Sequence, residues 1–257
     1  MDFFVKKRKN IVINFLLKRI VKNFVICYNN GMKNIFEKFN ISVSDEKIKK
    51  FEKYYELLVF YNSKFNITAI TERQEVIVKH FVDSVLGVDR ITGNKLIDIG
   101  SGGGFPALPI KIMKEDISLT MLEATGKKCE FLKTVAKELD LTNVTVINGR
   151  AEELAKDADF REKFDCSTAR AVARLNTLLE YTMPFVKVGG RFVAYKGDAI
   201  EEVIEAKNTI KTLGGKIVED YSYNLLDAKR QLISVEKVSP TPLVYPRTNA
   251  MIRKKPL

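Results

Sequence analysis

The sequence predicts a doubly wound α/β fold: a mostly parallel sheet, closed by an antiparallel C-terminal hairpin and preceded by an N-terminal helical appendage. Three observations lead to it. From Lys95 onward, short apolar runs alternate with helical stretches, the pattern of repeated βαβ units. The first of those runs leads into a glycine-rich segment, LIDIGSGGGFP, at 96–106. The last two runs, 216–223 and 231–238, follow one another with no helix between them, as a hairpin does.

The elements follow in order. Ser44 N-caps a helix whose apolar residues Ile48, Phe51, Tyr55, Leu58 and Val59 recur at helical spacing. Asn66-Ile67-Thr68 breaks it. Thr71-Glu72-Arg73-Gln74 has a capping-box pattern and opens a second helix, which runs through VIVKHFVDSVLGV. Strands are predicted at 95–99, 118–124, 144–148, 164–169 and 191–196. The helices between them begin near Ala107, cover 126–139 and run from Leu175 to Phe185. Val188-Gly189-Gly190 reads as the turn into the fifth strand. A further helix, 198–213, stops at Gly214-Gly215. Residues 225–230 join the closing hairpin, and a Pro-punctuated basic tail ends the chain. The expected organisation is an extension at 1–31, a helical subdomain at 32–94, a ligand-binding domain at 95–240 and a tail at 241–257.

At 257 residues, the chain suits one α/β domain with a small appendage. A hydrophobic content of 46% is enough to bury a core. The net charge of +11 favours polyanionic partners. Residues 1–31 hold seven Lys/Arg and one Asp, so +6 of that charge sits there. This extension is expected to be a basic amphipathic helix or poorly ordered, with Met32 an alternative start. Lys18 and Arg19 interrupt its apolar run and no small-residue cleavage site follows, unlike a signal peptide. No apolar run reaches the roughly 18 residues that cross a bilayer. Cys27, Cys129 and Cys166 have neither metal-ligand spacing nor a pairing pattern, so reduced structural thiols and no metal are expected. The expected setting is the cytoplasm and the expected state a monomer.

Glycines between a strand and a helix let the backbone turn sharply and approach a ligand. Here the loop reads D-x-G-x-G-x-G from Asp98. A dinucleotide fingerprint begun at Gly100 would need glycine where Phe105 stands, and no lysine follows to make a phosphate loop. An acidic residue before the loop suits S-adenosylmethionine, a nucleoside with a cationic centre and no phosphate. Asp98 is expected near its methionine end, with Gly100 and Gly102 also contacting the cofactor and Phe105 packed on it. Glu123, 23 residues beyond Gly100, is placed to accept the ribose hydroxyls. Ala151 and Glu152 would flank the adenine. Five βα units with a terminal hairpin also match Rossmann-like class I methyltransferases better than dehydrogenases, which more often end in a sixth parallel strand.

Cations follow four successive strands at the edge where open sheets bind ligands: Lys127 and Lys128, Arg150, Arg170 with Arg174, and Lys196. They suggest a surface that tracks RNA phosphates. His80, the only histidine, sits beside apolar neighbours and reads as a packed helix residue, with Asp83 and Ser84 bracing the same region.

The combination NITAIT (66–71), KHFVDSV (79–85), DIGSGGGFPALPI (98–110), ARAVARL (169–175) and YKG (195–197) resembles the small-subunit ribosomal RNA methyltransferase G family, also called glucose-inhibited division protein B. The resemblance runs from about Met32 to Leu257. It implies methylation of guanine N7 in 16S ribosomal RNA, with cofactor contacts at Gly100, Phe105, Ala151, Glu152 and Arg170. It also implies RNA or active-site roles for Lys127, Arg150, Arg170 and Lys196. The tail departs from the family pattern between Arg247 and Lys254, where Thr248-Asn249-Ala250-Met251-Ile252 replaces a Gly-Thr-Pro stretch. On this reading Arg170 or Lys196 hydrogen-bonds guanine O6 or a neighbouring phosphate, and no general base is needed. The rivals are a methyltransferase of a small molecule or protein, an RNA-binding protein without activity, and a nicotinamide oxidoreductase, which Phe105 argues against.

Overall fold

The structure, a computed structural model, describes residues 31–257. The expectation for the basic extension, and Cys27 with it, lies outside the described residues except for Gly31. The chain divides into two compact units, Met1–Ile48 and Lys49–Leu257. The described part of the first holds α1 (Met32–Lys38) and the start of α2 (Asp45–Asn62). Ser44 Oγ accepts the Lys47 N–H at 3.3 Å, as an N-cap should.

The second unit begins on α2. Its buried residues are Phe51, Tyr54 and Leu58, so the apolar stripe is rotated from the expected one: Tyr54, not Tyr55, is buried, and Val59 is 41% exposed. The reason is aromatic packing, since the Tyr54 ring lies 5.2 Å from Phe81 and 5.3 Å from Phe105. The next helix is capped by Glu72, whose carboxylate accepts the Glu75 N–H at 2.9 Å, one residue later than the capping box suggests. It comprises α3 (Arg73–Val76), a π-helical stretch (Ile77–Val82) and α4 (Asp83–Val85). Such wider turns in a helix are often functional.

The sheet has seven strands: β1 (Lys95–Ile99), β2 (Ser118–Glu123), β3 (Val144–Asn148), β4 (Phe164–Arg170), β5 (Val186–Lys196), β6 (Gly215–Leu225) and β7 (Ala228–Lys237). Their order is β3-β2-β1-β4-β5-β7-β6. The first five run parallel, and β7 and β6 close the sheet antiparallel, as predicted. Strand order reverses between β1 and β4, the point where such sheets bind ligands. Three local readings change. Val188-Gly189-Gly190 lies inside β5, where the register slips between Phe164↔Val186 and Cys166↔Arg191. The hairpin loop shortens to Leu226-Asp227. The helix expected at 198–213 is two, broken at Ala206.

The remaining helices are α5 (Ala107–Met113), α6 (Gly126–Glu138), α7 (Ala151–Leu154), α8 (Leu175–Thr182), α9 (Ile200–Glu205), α10 (Lys207–Thr212) and α11 (Asn249–Lys254). Ile97, Leu122, Phe192 and Ile233 of the sheet share a core with Leu178 and Leu179 of α8. Among the described residues no helix is long and apolar enough to cross a membrane.

The tail is part of this unit. Glu180, fully buried, accepts the Arg247 backbone N–H at 2.8 Å and its guanidinium at 2.9 and 2.6 Å. Arg161 donates to the carbonyls of Thr241 and Tyr245, both at 2.8 Å. Thr209 donates to the Leu257 carbonyl at 2.8 Å. Removing one partner of a buried ion pair strands the other charge, at a cost of about 3–5 kcal/mol. Arg247→Ala should therefore lower urea-unfolding stability by about that amount, and adding Glu180→Gln should recover much of it. A loss under about 1 kcal/mol would show that the pair does not anchor the tail.

Candidate active site at the carboxyl edge of the sheet

The loop after β1 turns on glycines. Gly100, Gly102 and Gly104 take φ of +71°, +54° and +87°. A Cβ on Gly100 would come within 2.8 Å of the Val172 side chain, and one on Gly104 within 2.5 Å of Leu108. The loop is tied to β2: the N–H groups of Gly100 and Ser101 donate to the Leu122 carbonyl at 2.8 and 3.2 Å. Glu123 ties it further, accepting the Gly102 N–H at 2.9 Å and, on its other oxygen, the Thr125 N–H at 2.8 Å. Behind the loop, Asp98 is 1% exposed. Thr168 donates to its Oδ1 at 2.7 Å, while its Oδ2 is buried with no hydrogen-bond partner. Burial pushes this carboxyl up to about 6, against the Thr168 hydrogen bond.

Above the loop lies a crevice of about 600 Å³. Among the residues singled out from sequence, Gly100, Arg150, Ala151, Glu152 and Arg174 line it. Asp98, Gly102 and Glu123 are not in its lining; Glu123 supports the loop through the Gly102 N–H. Phe105 is not in its lining. That ring packs instead on His80 at 4.4 Å, on Tyr54 at 5.3 Å and beside the Arg170 guanidinium at 5.1 Å. Lys127 is exposed in the first turn of α6 and lines neither of the crevices described here.

A second crevice, of about 470 Å³, opens on the other side of the segment that follows β4. Arg170 and Ala171 line the second; Val172, Ala173 and Arg174 line the first. Ala171 takes φ +56°, a left-handed conformation that costs an alanine about 1–2 kcal/mol. The second crevice also holds Lys79, His80, Asp83, Lys196 and Arg230. Arg170 donates to Asp83 at 3.0 Å and to the Lys79 carbonyl at 3.2 Å, and its other nitrogen lies 3.1 Å from His80 Nδ1. Tyr223 also donates to Asp83, at 2.8 Å. Lys196 is held by Glu202 at 2.7 Å and the Ala173 carbonyl at 2.8 Å. Arg174 reaches out to Glu205 at 2.5 Å.

His80 is a structural imidazole. Burial, and then the Arg170 charge, depress its pKa to about 3. Because Arg170 donates to Nδ1, the network assigns the ring proton to Nε2, which donates to Thr68 Oγ1 at 2.9 Å. Cys129 and Cys166 are buried free thiols, and burial raises Cys166 to about 12. Among the described residues no cluster of His, Cys, Asp and Glu is arranged to hold a metal ion.

Sequence reasoning missed Tyr181, Asn249, Arg253 and Pro256, which also line the first crevice. Three of these belong to the tail, whose docking depends on contacts far apart in sequence.

The architecture is that of class I methyltransferases. One chain of a complex containing the Haloferax volcanii Trm112 methyltransferase activator superposes with a TM-score of 0.51 at 14% identity, covering 66% of this chain and 94% of that one. The sequence narrows the class. Residues 47–233 match the model of the GidB family, rRNA small subunit methyltransferase G, and the chain belongs to that family. Proteins named ribosomal RNA small subunit methyltransferase G are similar over most of the chain. The one from Desulfitobacterium hafniense strain Y51 is 46% identical over 86% of this chain and 94% of its own length. The one from Caldanaerobacter subterraneus subsp. tengcongensis is 50% identical over 82% and 90%.

Since His80 is the sole histidine, its imidazole signals are unambiguous by NMR. They should not titrate between pH 8 and 5. Its folded pKa lies below the unfolded value, so its contribution to stability is complete above about pH 6.5 and declines as pH falls toward 3. A midpoint near 6.5 in the folded protein would overturn the neutral, buried assignment.

Proposed function

We propose that the chain moves the methyl group of S-adenosylmethionine to N7 of a guanine in the 16S ribosomal RNA of the small subunit, working as a monomer in the cytoplasm. The observation that carries this is the pair of crevices divided by 170–174, one beside the glycine loop and one lined by cations. A methyl donor in the first and a base in the second would meet across that segment.

The first crevice suits the cofactor. The unpartnered Asp98 oxygen can accept from an ammonium group, directly or through water, and the glycine loop permits close approach. Gly100 and Gly102 serve the methionine end, Glu123 holds the loop and faces the ribose, and Ala151 and Glu152 flank the adenine. When bound, the cofactor supplies an electrophilic methyl on a sulfonium. Guanine N7 carries an in-plane lone pair, so the N–C bond forms as the C–S bond breaks, and no proton need be removed. The protein's work is alignment and exclusion of water. Arg170, fixed by Asp83, and Lys196, fixed by Glu202, are the groups placed to hold guanine O6 or an adjacent phosphate. Lys127, exposed and outside both crevices, and Arg150 and Arg174, on the lining of the first, suit phosphates of the surrounding RNA.

Tritiated S-adenosylmethionine offered with undermethylated small subunits, free 16S RNA and small-molecule pools should label one guanine at N7. Arg170→Ala and Lys196→Ala should each cut single-turnover methylation at least tenfold. Label entering only small molecules or protein would sink the RNA assignment. RNA affinity should also fall steeply with salt, each phosphate contact adding about 0.7 to the log–log slope.

Asp98 gives a pH dependence with a definite sign. Binding an ammonium favours the ionised carboxylate, whose pKa in the free protein is about 6. S-adenosylhomocysteine affinity should therefore rise from pH 5 to 7 and level off above. Asp98→Asn should bind more weakly with a flat profile. An unchanged slope in that variant would remove Asp98 from the cofactor site.

A further inference from the structure

We propose that the C-terminal tail is a working wall of the cofactor crevice, in which Asn249 and Arg253 hold the adenosine end; this rests on the assignment of that crevice to S-adenosylmethionine. Asn249, Arg253 and Pro256 all line it. The short helix α11 explains how. Asn249 and Arg253 are four residues apart and share one face, while Ile252, between them in sequence, is fully buried in the core. One face thus anchors the helix and another turns to the crevice.

The tail cannot easily swing away. Arg247 is locked on Glu180 just before α11, and the Leu257 carbonyl is held by Thr209 just after it. The crevice side is braced too: the Tyr181 hydroxyl donates to Asn249 Oδ1 at 2.7 Å. That leaves the Asn249 amide N–H groups free to donate, and adenine presents ring-nitrogen acceptors. No hydrogen bond or ion pair engages the Arg253 guanidinium within the described residues, and a planar guanidinium both donates and stacks on flat rings.

The end of the cofactor follows from the neighbours. Tyr181 lies on α8, within electrostatic reach of both Glu152 and Arg253. Glu152 lies in the first turn of α7, four residues after the end of β3, the side of the crevice assigned to adenine. The methionine end belongs to Gly100 and Asp98, at β1. The tail therefore closes over the nucleoside, away from the transferring methyl.

Isothermal titration of the full chain with S-adenosylhomocysteine and with 5′-methylthioadenosine, which lacks the amino-acid end, separates the outcomes. Arg253→Ala and Asn249→Ala should each weaken both ligands at least fivefold, and Arg253→Lys should recover only part of the loss. Thermal unfolding of each unliganded variant serves as the folding control: it should be unchanged for Arg253→Ala and lowered by no more than the loss of the one Tyr181 hydrogen bond for Asn249→Ala. If the wild type binds both ligands and the two alanine variants bind them equally well, the tail has no part in the site, while the cofactor assignment stands. Weakening for S-adenosylhomocysteine alone would put Arg253 at the carboxylate and overturn the adenosine assignment. If the wild type binds neither ligand, the cofactor assignment fails and this inference falls with it.

Discussion

The structure turns on one buried carboxylate. Asp83 is 3% exposed, and an ionised group at that depth is tolerated only when paired and hydrogen-bonded. Its partners come from three strands: Arg170 at the end of β4, Tyr223 in β6 and Arg230 in β7. Meeting all three pins the helical stretch before β1 against the carboxyl edge of the sheet. It also fixes Arg170, whose other contacts then position His80 and the Phe105 ring. The wall of the second crevice is thus set by the satisfaction of one charge. The π-helical turn fits this demand, since an added residue per turn changes which side chains face the sheet.

A similar economy operates at the glycine loop. A loop of left-handed glycines is conformationally free in the unfolded chain, and ordering it is entropically costly. Glu123 and the Leu122 carbonyl hold it by its N–H groups, while Asp98 is stabilised from beneath by Thr168. Glu123 was expected to face a ribose. Its two oxygens each accept a backbone N–H, yet each retains a second lone pair, so bracing the loop and meeting a ligand are compatible. The strained backbone at Ala171, in the lining of the second crevice, marks a segment held for position.

The parallel strands were legible because their signal is local. The bounds of β1 and β3 follow from short apolar runs ended by glycine or polar residues, and the loop from glycine spacing. What escaped depends on partners distant in sequence. Whether Tyr54 or Tyr55 faces inward is decided by Phe81 and Phe105. Val188-Gly189-Gly190 has turn composition, but its pairing with β4 makes it a bulge. Phe105 looked like a ligand contact because it interrupts a glycine pattern; its nearest rings are His80 and Tyr54. The tail, rich in Pro and basic residues, reads as loose chain. Partners far back in the sequence, Glu180 and Arg161 among them, are what dock it.

Charge balance in the second crevice bears on the proposed chemistry. Methylation at guanine N7 transfers a positive charge from sulfur to the base. A pocket of bare cations would attract phosphate but oppose that transfer. This crevice is lined by four cations, Lys79, Arg170, Lys196 and Arg230, and by three carboxylates, Asp83, Asp198 and Glu202. Arg170 and Lys196 are each held against one of those carboxylates. Paired in this way, the cations keep their hydrogen-bond donors for O6 or a phosphate while their long-range field is largely cancelled. The arrangement can therefore grip the anionic backbone and the neutral base without penalising the charged product, a combination that unpaired lysines and arginines at the same positions would not provide.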